Sequence, residues 1–235
     1  MSRPRTFKIF TLTMGGPIRE LYLERLLYSM RAPRRWCWSG QIDVSWTIFF
    51  QGGRPSEKLQ HLMACAEVHA ALWPKNIGRA LGQHEALEAI GPADIILRTD
   101  DDARILEPNF LTECANILDL VPDAFIHAFP VGLTGNVGGC RARGDRLVMM
   151  HPSSQNLYTL RPVHRMGGLA RAASWETWRK IPWYDDCGKG PDHIESLQLM
   201  KACAEQGIMQ YYAENRWVVE HQDSTKGQQW RKAQR

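Results

Sequence analysis

Three consecutive carboxylates, Asp100, Asp101 and Asp102, follow an apolar run that starts after Gly91-Pro92. The segment Ile95-Ile96-Leu97 predicts a short buried strand, so the carboxylates lie at its carboxyl end, the edge where open α/β sheets bind ligands. Adjacent like charges repel, and a cation that balances them keeps the cluster ionised. Carboxylate oxygens suit magnesium and manganese, so the cluster predicts a divalent-metal site. The alternative is a solvated turn in which one acid caps the next helix.

Two further candidate groups lie near the C terminus. Asp192 opens a predicted helix and Glu195 follows three residues later, which is the spacing of a capping box. A carboxylate in that position can also act as a general base, so both interpretations stay open. His221 ends a predicted strand at Trp217-Val218-Val219. Its imidazole is either a packing or surface group or a nitrogen ligand for a metal.

These groups need a scaffold, and the apolar pattern predicts one in which strands and helices alternate through residues 1–133. Such alternation favours a mostly parallel, doubly wound sheet. The predicted strands are Phe7–Thr13, Ile42–Phe50, Ile95–Leu97, Ala124–Leu133 and Trp217–His221. The predicted helices are Ile18–Met30, Ser56–Leu72, Gly78–Ile90, Asn109–Leu120, Ser174–Lys180 and Asp192–Gln206, and a hairpin is predicted around Gly144-Asp145.

Composition limits the class of protein. A chain of 235 residues with 44% hydrophobic residues can bury the core of one domain. Its net charge of +4 suits a polyanionic ligand such as a nucleotide diphosphate. The six cysteines contain no C-x-x-C pair, which favours a reducing compartment over a zinc site or a disulfide scaffold. No apolar stretch approaches the ~20 residues of a membrane span, so we expect a cytoplasmic protein.

Four segments together match the order of motifs in a known enzyme family. They are Asn76-Ile77-Gly78 before a helix, Ile95–Asp102 as a strand with a D-x-D motif, Gly190-Pro191-Asp192 at a helix start, and Trp217–His221 as a strand with a closing histidine. In this order and spacing the chain resembles the family 2 glycosyltransferases of the GT-A fold, over residues ~6–222.

The resemblance implies an α/β fold of the GT-A (Rossmann-like) type, with a mostly parallel central sheet flanked by helices. It implies a single catalytic domain, residues 1–235. Within it, residues 1–133 would bind the nucleotide sugar, residues 134–222 would form the acceptor and catalytic half, and residues 223–235 would be a basic tail.

The resemblance also implies roles for individual residues. Asp102 and Asp100 would hold Mn²⁺ or Mg²⁺, and His221 would add a nitrogen ligand that favours manganese. Asp192 would be the general base of an inverting transfer, with Glu195 as the fallback base. The nucleotide sugar would contact the remaining candidates, which are Thr11, Thr13, Arg79, Asp100 and Asp101.

Several alternatives stay open at the level of sequence. Phe50-Gln51-Gly52-Gly53 stands where family members carry an acidic pair that reads the base, so the base is not identified. The acceptor could be a saccharide, a protein or a hydroxylated base in DNA, as in some phage-type glycosyltransferases. A metal-dependent nucleotidyltransferase also uses paired aspartates, and a binding module without activity could keep the same fold.

Overall fold

The computed structural model describes residues 5–37, 42–131, 141–142, 144–165, 169–183, 194–214 and 216–222. The larger of its two sheets contains β1 Arg5–Thr13, β2 Ile42–Gln51, β3 His69–Trp73, β4 Ile95–Asp100, β6 Phe125–His127, β8 Arg141–Ala142, β9 Leu147–Met150, β10 Leu157–Arg165, β11 Ala170–Ala173 and β12 Gln210–Ala213. The smaller sheet contains β5 Ala103–Ile105, β7 Phe129–Val131 and β13 Val218–His221.

The larger sheet is mostly parallel. Its strands follow the order β3-β2-β1-β4-β11-β6-β12-β10-β8, and β9 also pairs with β10. Within the described part of the chain, β10 and β11 run against the direction of the other strands. The predicted α/β fold with a mostly parallel sheet is therefore confirmed. The carboxyl ends of β1, β2 and β4 meet at one edge, which brings Thr13, Gln51 and Asp100 into one region.

Helices cover both faces of this sheet. The helices are α1 Pro17–Cys37, α2 Glu57–Cys65, α3 Arg79–Ile90, α4 Phe110–Leu120, α5 Trp175–Arg179 and α6 Ile194–Glu205. Helices α1, α2 and α4 pack on one face, and α3, α5 and α6 pack on the other. Ile9 and Leu97 point to the first face, and Phe10 and Ile96 point to the second, because successive strand residues alternate. None of the described helices has the length and apolarity needed to cross a bilayer.

The segment after α2 differs from the sequence prediction. The spacing of Ala66, Ala70 and Leu72 predicts a helix that continues to Leu72, and this prediction is wrong. Helix α2 ends at Cys65, the chain turns at Glu67 with a φ of 52°, and β3 follows. Strand β3 pairs in parallel with β2, so tertiary pairing at the sheet edge overrides a short helical spacing.

Two other predicted segments also differ from the structure. The predicted strand Ala124–Leu133 forms β6 in the larger sheet and β7 in the smaller one, as far as the structure describes it. The predicted hairpin at Gly144-Asp145 is wrong, because β8 and β9 each pair with β10 and not with each other. The change of sheet within residues 124–131 carries the chain from the main core to the region beside the acidic cluster.

The smaller sheet fixes the C-terminal strand β13 beside the end of β4. Strand β13 pairs antiparallel with β5, and His221 lies opposite Ala103 in this ladder. The Gln222 N–H donates a hydrogen bond to the Asp102 carbonyl at 2.8 Å. Residues distant in sequence are therefore held side by side by backbone hydrogen bonds.

Candidate active site

Asp101 lies at the centre of the acidic cluster and is bound on both carboxylate oxygens. The Thr13 hydroxyl donates to Oδ2 at 2.7 Å, and Arg19 Nη1 donates to Oδ1 at 2.7 Å. The residue is 6% exposed. Burial raises the pKa of Asp101 to about 6, although the charge of Arg19 acts to lower it. Asp101 therefore connects the end of β1 and the first turn of α1 to the loop after β4.

Asp102 lies beside His221, and these are two of the three residues that the family resemblance proposes as metal ligands. The distance from His221 Nε2 to Asp102 Oδ2 is 3.5 Å, and Arg19 Nη1 is 3.3 Å from the same oxygen. The other oxygen, Oδ1, is buried and has no hydrogen-bond partner among the described residues. An unsatisfied buried carboxylate oxygen is costly, so this atom is suited to receive a ligand.

Asp100 points to the same face of the sheet as Arg98, two residues before it on β4. Its Oδ1 lies 2.5 Å from Arg98 Nη2, in a buried ion pair. Burial raises the pKa of Asp100, and the charges of Arg98 and Arg79 oppose that rise. The alternation of strand residues directs Asp100 and Asp101 to opposite faces, so Asp100 contacts Arg98 while Asp101 contacts Arg19. The structure thus brings Asp102 and His221 together and directs Asp100 to arginine.

The two threonines predicted to contact the donor lie in different surroundings. Thr13 reaches the acidic cluster through Asp101, and its Oγ1 also accepts a hydrogen bond from the Gly15 N–H at 3.1 Å. The Thr11 hydroxyl is fully buried. It lies 2.6 Å from the Thr99 hydroxyl and accepts a hydrogen bond from Trp46 Nε1 at 3.1 Å. We therefore assign Thr11 a packing role and keep Thr13 as a candidate site residue.

Glu195 lies in a buried arginine network behind the acidic cluster. Its Oε1 is 2.9 Å from Arg171 Nη2, a charge contact rather than a directed hydrogen bond, and its Oε2 is 3.5 Å from Arg98 Nη2. Burial acts to raise the pKa of Glu195, but Arg98, Arg171 and Arg79 together lower it to about 2. Such a carboxylate holds protons weakly and suits an anchor for α6 better than a general base. The preferred base, Asp192, lies outside the described residues, as does the basic tail 223–235.

The start of α3 forms another border of the site. Gly78 precedes the helix with a φ of 85° and no side chain caps the helix start. The Ile77 N–H donates to Gln51 Oε1 at 3.1 Å, which ties this loop to the end of β2. Arg79 is exposed at the first helical position, and its charge affects the pKa values of Asp100 and Glu195. A helix N terminus and an arginine at one edge favour an anionic ligand.

The acidic cluster and His221 offer ligand atoms for a divalent metal ion. Among the described residues, no group of three or more histidine, cysteine, aspartate or glutamate side chains is arranged to hold a metal by itself. Asp102 and His221 supply an oxygen and a nitrogen ligand, and Asp102 Oδ1 is unsatisfied. Magnesium-like ions are commonly held by one or two protein groups together with water and the phosphates of a substrate. The residues present therefore fit a divalent ion that a phosphate ligand also coordinates.

Three arginines of this region were not among the residues singled out from sequence. Arg98 follows the apolar run Ile95-Ile96-Leu97, Arg171 stands between two alanines, and both are at most 2% exposed. Charged residues in the middle of apolar strands are the signal that a buried ion pair leaves in a sequence. Arg19 occupies the first turn of α1, where a cation opposes the helix dipole. A basic residue at the start of a predicted helix is therefore the feature of the sequence that could have identified Arg19.

Comparison with known proteins supports the fold. No protein-family model and no curated protein sequence matches the chain. Solved structures do match. GalNAc-T7 with UDP, GalNAc and Mn²⁺ aligns with a TM-score of 0.66 and 12% identity, over 93% of this chain and 44% of that one. A mannosyltransferase from Pyrobaculum calidifontis, in complex with GDP-Man and Mn²⁺, aligns with a TM-score of 0.57 and 13% identity, over 96% and 59%.

A third match is glucosyl-3-phosphoglycerate synthase from Mycobacterium tuberculosis, in complex with Mn²⁺, UDP and glucosyl-3-phosphoglycerate. It aligns with a TM-score of 0.54 and 15% identity, over 90% of this chain and 73% of that one. The chain thus spans less than half of GalNAc-T7 and well under two thirds of the mannosyltransferase. At identities this low, the similarity shows a shared fold and no more. The chain has the GT-A fold, which these glycosyltransferases share.

Proposed function

We propose that the chain is a metal-dependent glycosyltransferase that moves a sugar from a nucleotide diphosphate sugar to an acceptor hydroxyl. The observation that carries the proposal is the pair Asp102 and His221 at the carboxyl edge of a GT-A sheet, with Asp102 Oδ1 buried and unsatisfied. The described neighbours support it, because their crystals contain Mn²⁺ with UDP or GDP-Man.

In the proposed mechanism, Asp102 and His221 hold Mn²⁺ or Mg²⁺. When bound, such an ion neutralises the negative charge that builds on the diphosphate leaving group. Thr13 and Arg19 hold Asp101 in place beside this site. Arg79 and the uncapped start of α3 face the phosphates of the donor and orient them through charge and backbone N–H groups.

The acceptor side of the mechanism rests on Asp192. Its carboxylate takes the proton of the acceptor hydroxyl as the acceptor oxygen bonds to the anomeric carbon and the bond to the diphosphate breaks. A single displacement of this kind inverts the anomeric centre. Glu195 positions the start of α6 through Arg98 and Arg171. A saccharide is the proposed acceptor, in line with the family resemblance of the sequence; a DNA base remains a prediction from sequence.

The test is calorimetric binding of UDP, GDP, CDP, ADP and TDP, each with Mn²⁺ and again with EDTA. We expect one nucleotide to bind in a metal-dependent manner, and Asp102→Ala to abolish that dependence. Asp123→Ala, an exposed aspartate away from the site, is the matched control and should bind as the wild type does. If none of the nucleotides binds, the proposed function is wrong.

A second measurement separates the alternatives. The matching nucleotide sugar, offered to saccharide acceptors, should release the nucleoside diphosphate. Release of pyrophosphate from a nucleoside triphosphate and a sugar phosphate would instead identify a nucleotidyltransferase. Nucleotide binding without turnover on any donor would identify a binding module. Retention of the chain on DNA at low salt, with loss at high salt, would bring back the DNA acceptor.

A further inference from the structure

Arg19 contacts two of the three carboxylates in the acidic cluster. Its Nη1 atom lies 2.7 Å from Asp101 Oδ1 and 3.3 Å from Asp102 Oδ2, so it bridges the two carboxylates. The Arg19 side chain is 29% exposed, whereas both carboxylate side chains are below 10%. The guanidinium group can therefore leave toward solvent while the carboxylates stay in place.

The position of Arg19 in α1 is unfavourable for the helix itself. The residue lies in the first turn, after Pro17, where the helix dipole favours negative charge. Burial acts to lower the pKa of Arg19, but Asp101 and Asp102 raise it, and the net pKa lies above its usual value. The carboxylates rather than the helix thus account for an arginine at this place.

The region is electrically balanced without any ligand. It contains equal numbers of acidic and basic side chains among the described residues. The carboxylates are Asp100, Asp101, Asp102 and Glu195, and the guanidinium groups are Arg19, Arg79, Arg98 and Arg171. A divalent cation alone would place two more positive charges beside Arg19. A nucleoside diphosphate carries enough negative charge to offset them.

We propose that Arg19 occupies the cation position between Asp101 and Asp102 in the ligand-free protein and moves onto the diphosphate when metal and donor bind. This inference rests on the proposed function and adds a mechanism for it. Arg19 opposes the binding of metal alone, favours the binding of nucleotide, and so couples the two. Metal then binds tightly only in the company of the donor, which limits the loading of the site with ions that carry no substrate.

The test measures two separate affinities. Binding of Mn²⁺ alone is followed by the electron paramagnetic resonance signal of free Mn²⁺, and binding of UDP and of GDP at saturating Mn²⁺ is followed by calorimetry. For Arg19→Gln we expect Mn²⁺ alone to bind about tenfold more tightly, because a repelling charge is gone. We expect the nucleotide that binds wild type to bind about tenfold more weakly at saturating Mn²⁺, because an attractive charge is gone.

Tighter Mn²⁺ binding together with weaker nucleotide binding in Arg19→Gln would identify the coupling role of Arg19. A merely structural loss at Arg19 would weaken both affinities. Arg19→Lys keeps the charge and should keep Mn²⁺ binding weak, and Arg25→Gln, an exposed arginine on the same helix, should change neither affinity. Thermal melting of each variant checks that it is folded.

Two results would overturn the inference, and they differ. If Arg19→Gln binds Mn²⁺ no better than wild type, while Asp102→Ala still abolishes metal-dependent nucleotide binding, the coupling role is wrong and the proposed function stands. If neither wild type nor Arg19→Gln binds Mn²⁺, UDP or GDP, both the role of Arg19 and the proposed function are wrong.

Discussion

Arg98 and Arg171 lie directly opposite each other in the antiparallel pair β4–β11, and Glu195 of α6 contacts both guanidinium groups. Like charges opposite one another destabilise a sheet, so this arrangement depends on the carboxylate between them. The contact joins the strand that ends in the acidic cluster to the helix that follows Asp192 in sequence. The two halves of the proposed site are therefore held by one buried charge.

Removal of that charge should destabilise the protein strongly. Glu195→Gln removes the carboxylate paired with Arg171 and leaves Arg98 with Asp100 alone, and loss of one partner of a buried ion pair costs about 3–5 kcal/mol. Urea unfolding should show this loss in the free energy of unfolding. Glu205→Gln, at the exposed end of the same helix, should change stability by less than about 0.5 kcal/mol. Equal stability of Glu195→Gln and Glu205→Gln would contradict the stabilising role of the Glu195 ion pairs.

His127 should make stability depend on pH. It lies opposite Arg171 on β6, and burial together with the charge of Arg171 lowers the pKa of His127 from 6.5 to about 3. The unfolded chain takes up this proton below pH 6.5 and the folded chain does not, so stability is present above pH 6.5 and is lost as pH falls towards 3. We expect the His127 contribution to the free energy of unfolding to fall by up to about 1.4 kcal/mol per pH unit. Asp101 opposes this fall below pH 6, because its raised pKa of about 6 lets the folded chain take up that proton before the unfolded chain does.

Urea unfolding at a series of pH values between 6.5 and 4.5 measures this slope. His127→Gln keeps an amide that can contact Gln210, which lies 3.1 Å from His127 Nε2, and should flatten the slope. His69→Gln replaces an exposed histidine on β3 and should keep the slope of the wild type. An unchanged slope in His127→Gln would show that another group titrates in this window. Below pH 4.5 Glu195 adds a further loss, since its pKa is lowered to about 2.

The two threonines of β1 should have separable effects. Thr13→Val removes the hydroxyl that donates to Asp101, so we expect metal-dependent nucleotide affinity to fall about tenfold with little change in melting temperature. Thr11→Val removes an acceptor of Trp46 Nε1 inside the core, and should cost about 1–3 kcal/mol of stability while nucleotide affinity stays the same. Calorimetry and urea unfolding on both variants give the comparison. If nucleotide affinity fell in Thr11→Val and not in Thr13→Val, Thr11 would be the site residue and Thr13 the packing residue.

Gly53 should not tolerate a side chain. A Cβ atom at this position would lie 2.7 Å from the Met14 carbonyl oxygen, which belongs to the backbone of the turn after β1. Because backbone must move to make room, Gly53→Ala should cost about 1–3 kcal/mol and weaken nucleotide binding through the displaced turn. Arg54→Ala, next to it and exposed, adds no atoms and serves as the stability control. Wild-type stability in Gly53→Ala would show that the turn after β1 and the turn after β2 can move apart without cost.

The sequence predicts those parts of the fold in which local signals agree. Helices α3 and α4 and strand β4 show clear apolar patterns with Gly or Pro at their borders, and the structure places them as predicted. Strand β3 was missed because its pairing with β2 depends on a distant segment, while its own spacing resembles a helix. Strands β10 to β12 were also missed; β11, for example, consists of three alanines and Arg171, which have little strand propensity of their own.

The sequence likewise predicts one part of the candidate site and not another. The sequence predicts that Asp102 and His221 belong together, because the family resemblance relates two strand ends, and the structure places them 3.5 Å apart. It does not predict which carboxylates pair with arginine, because this depends on the face to which each side chain points. Asp100 points to Arg98 and Asp101 points to Arg19, a difference of one residue that reverses the direction of the side chain.

The ladder between β5 and β13 has a consequence for how such a site can change. His221 is held opposite Ala103 by main-chain hydrogen bonds, so the separation of residues 102 and 221 does not depend on which side chains they carry. On the proposed function, exchange of His221 for aspartate would turn a nitrogen donor into an oxygen donor while the frame stays the same, and would shift preference from manganese towards magnesium. Choice of ion is thus separable from architecture, and a lineage could alter it in one substitution without refolding the enzyme.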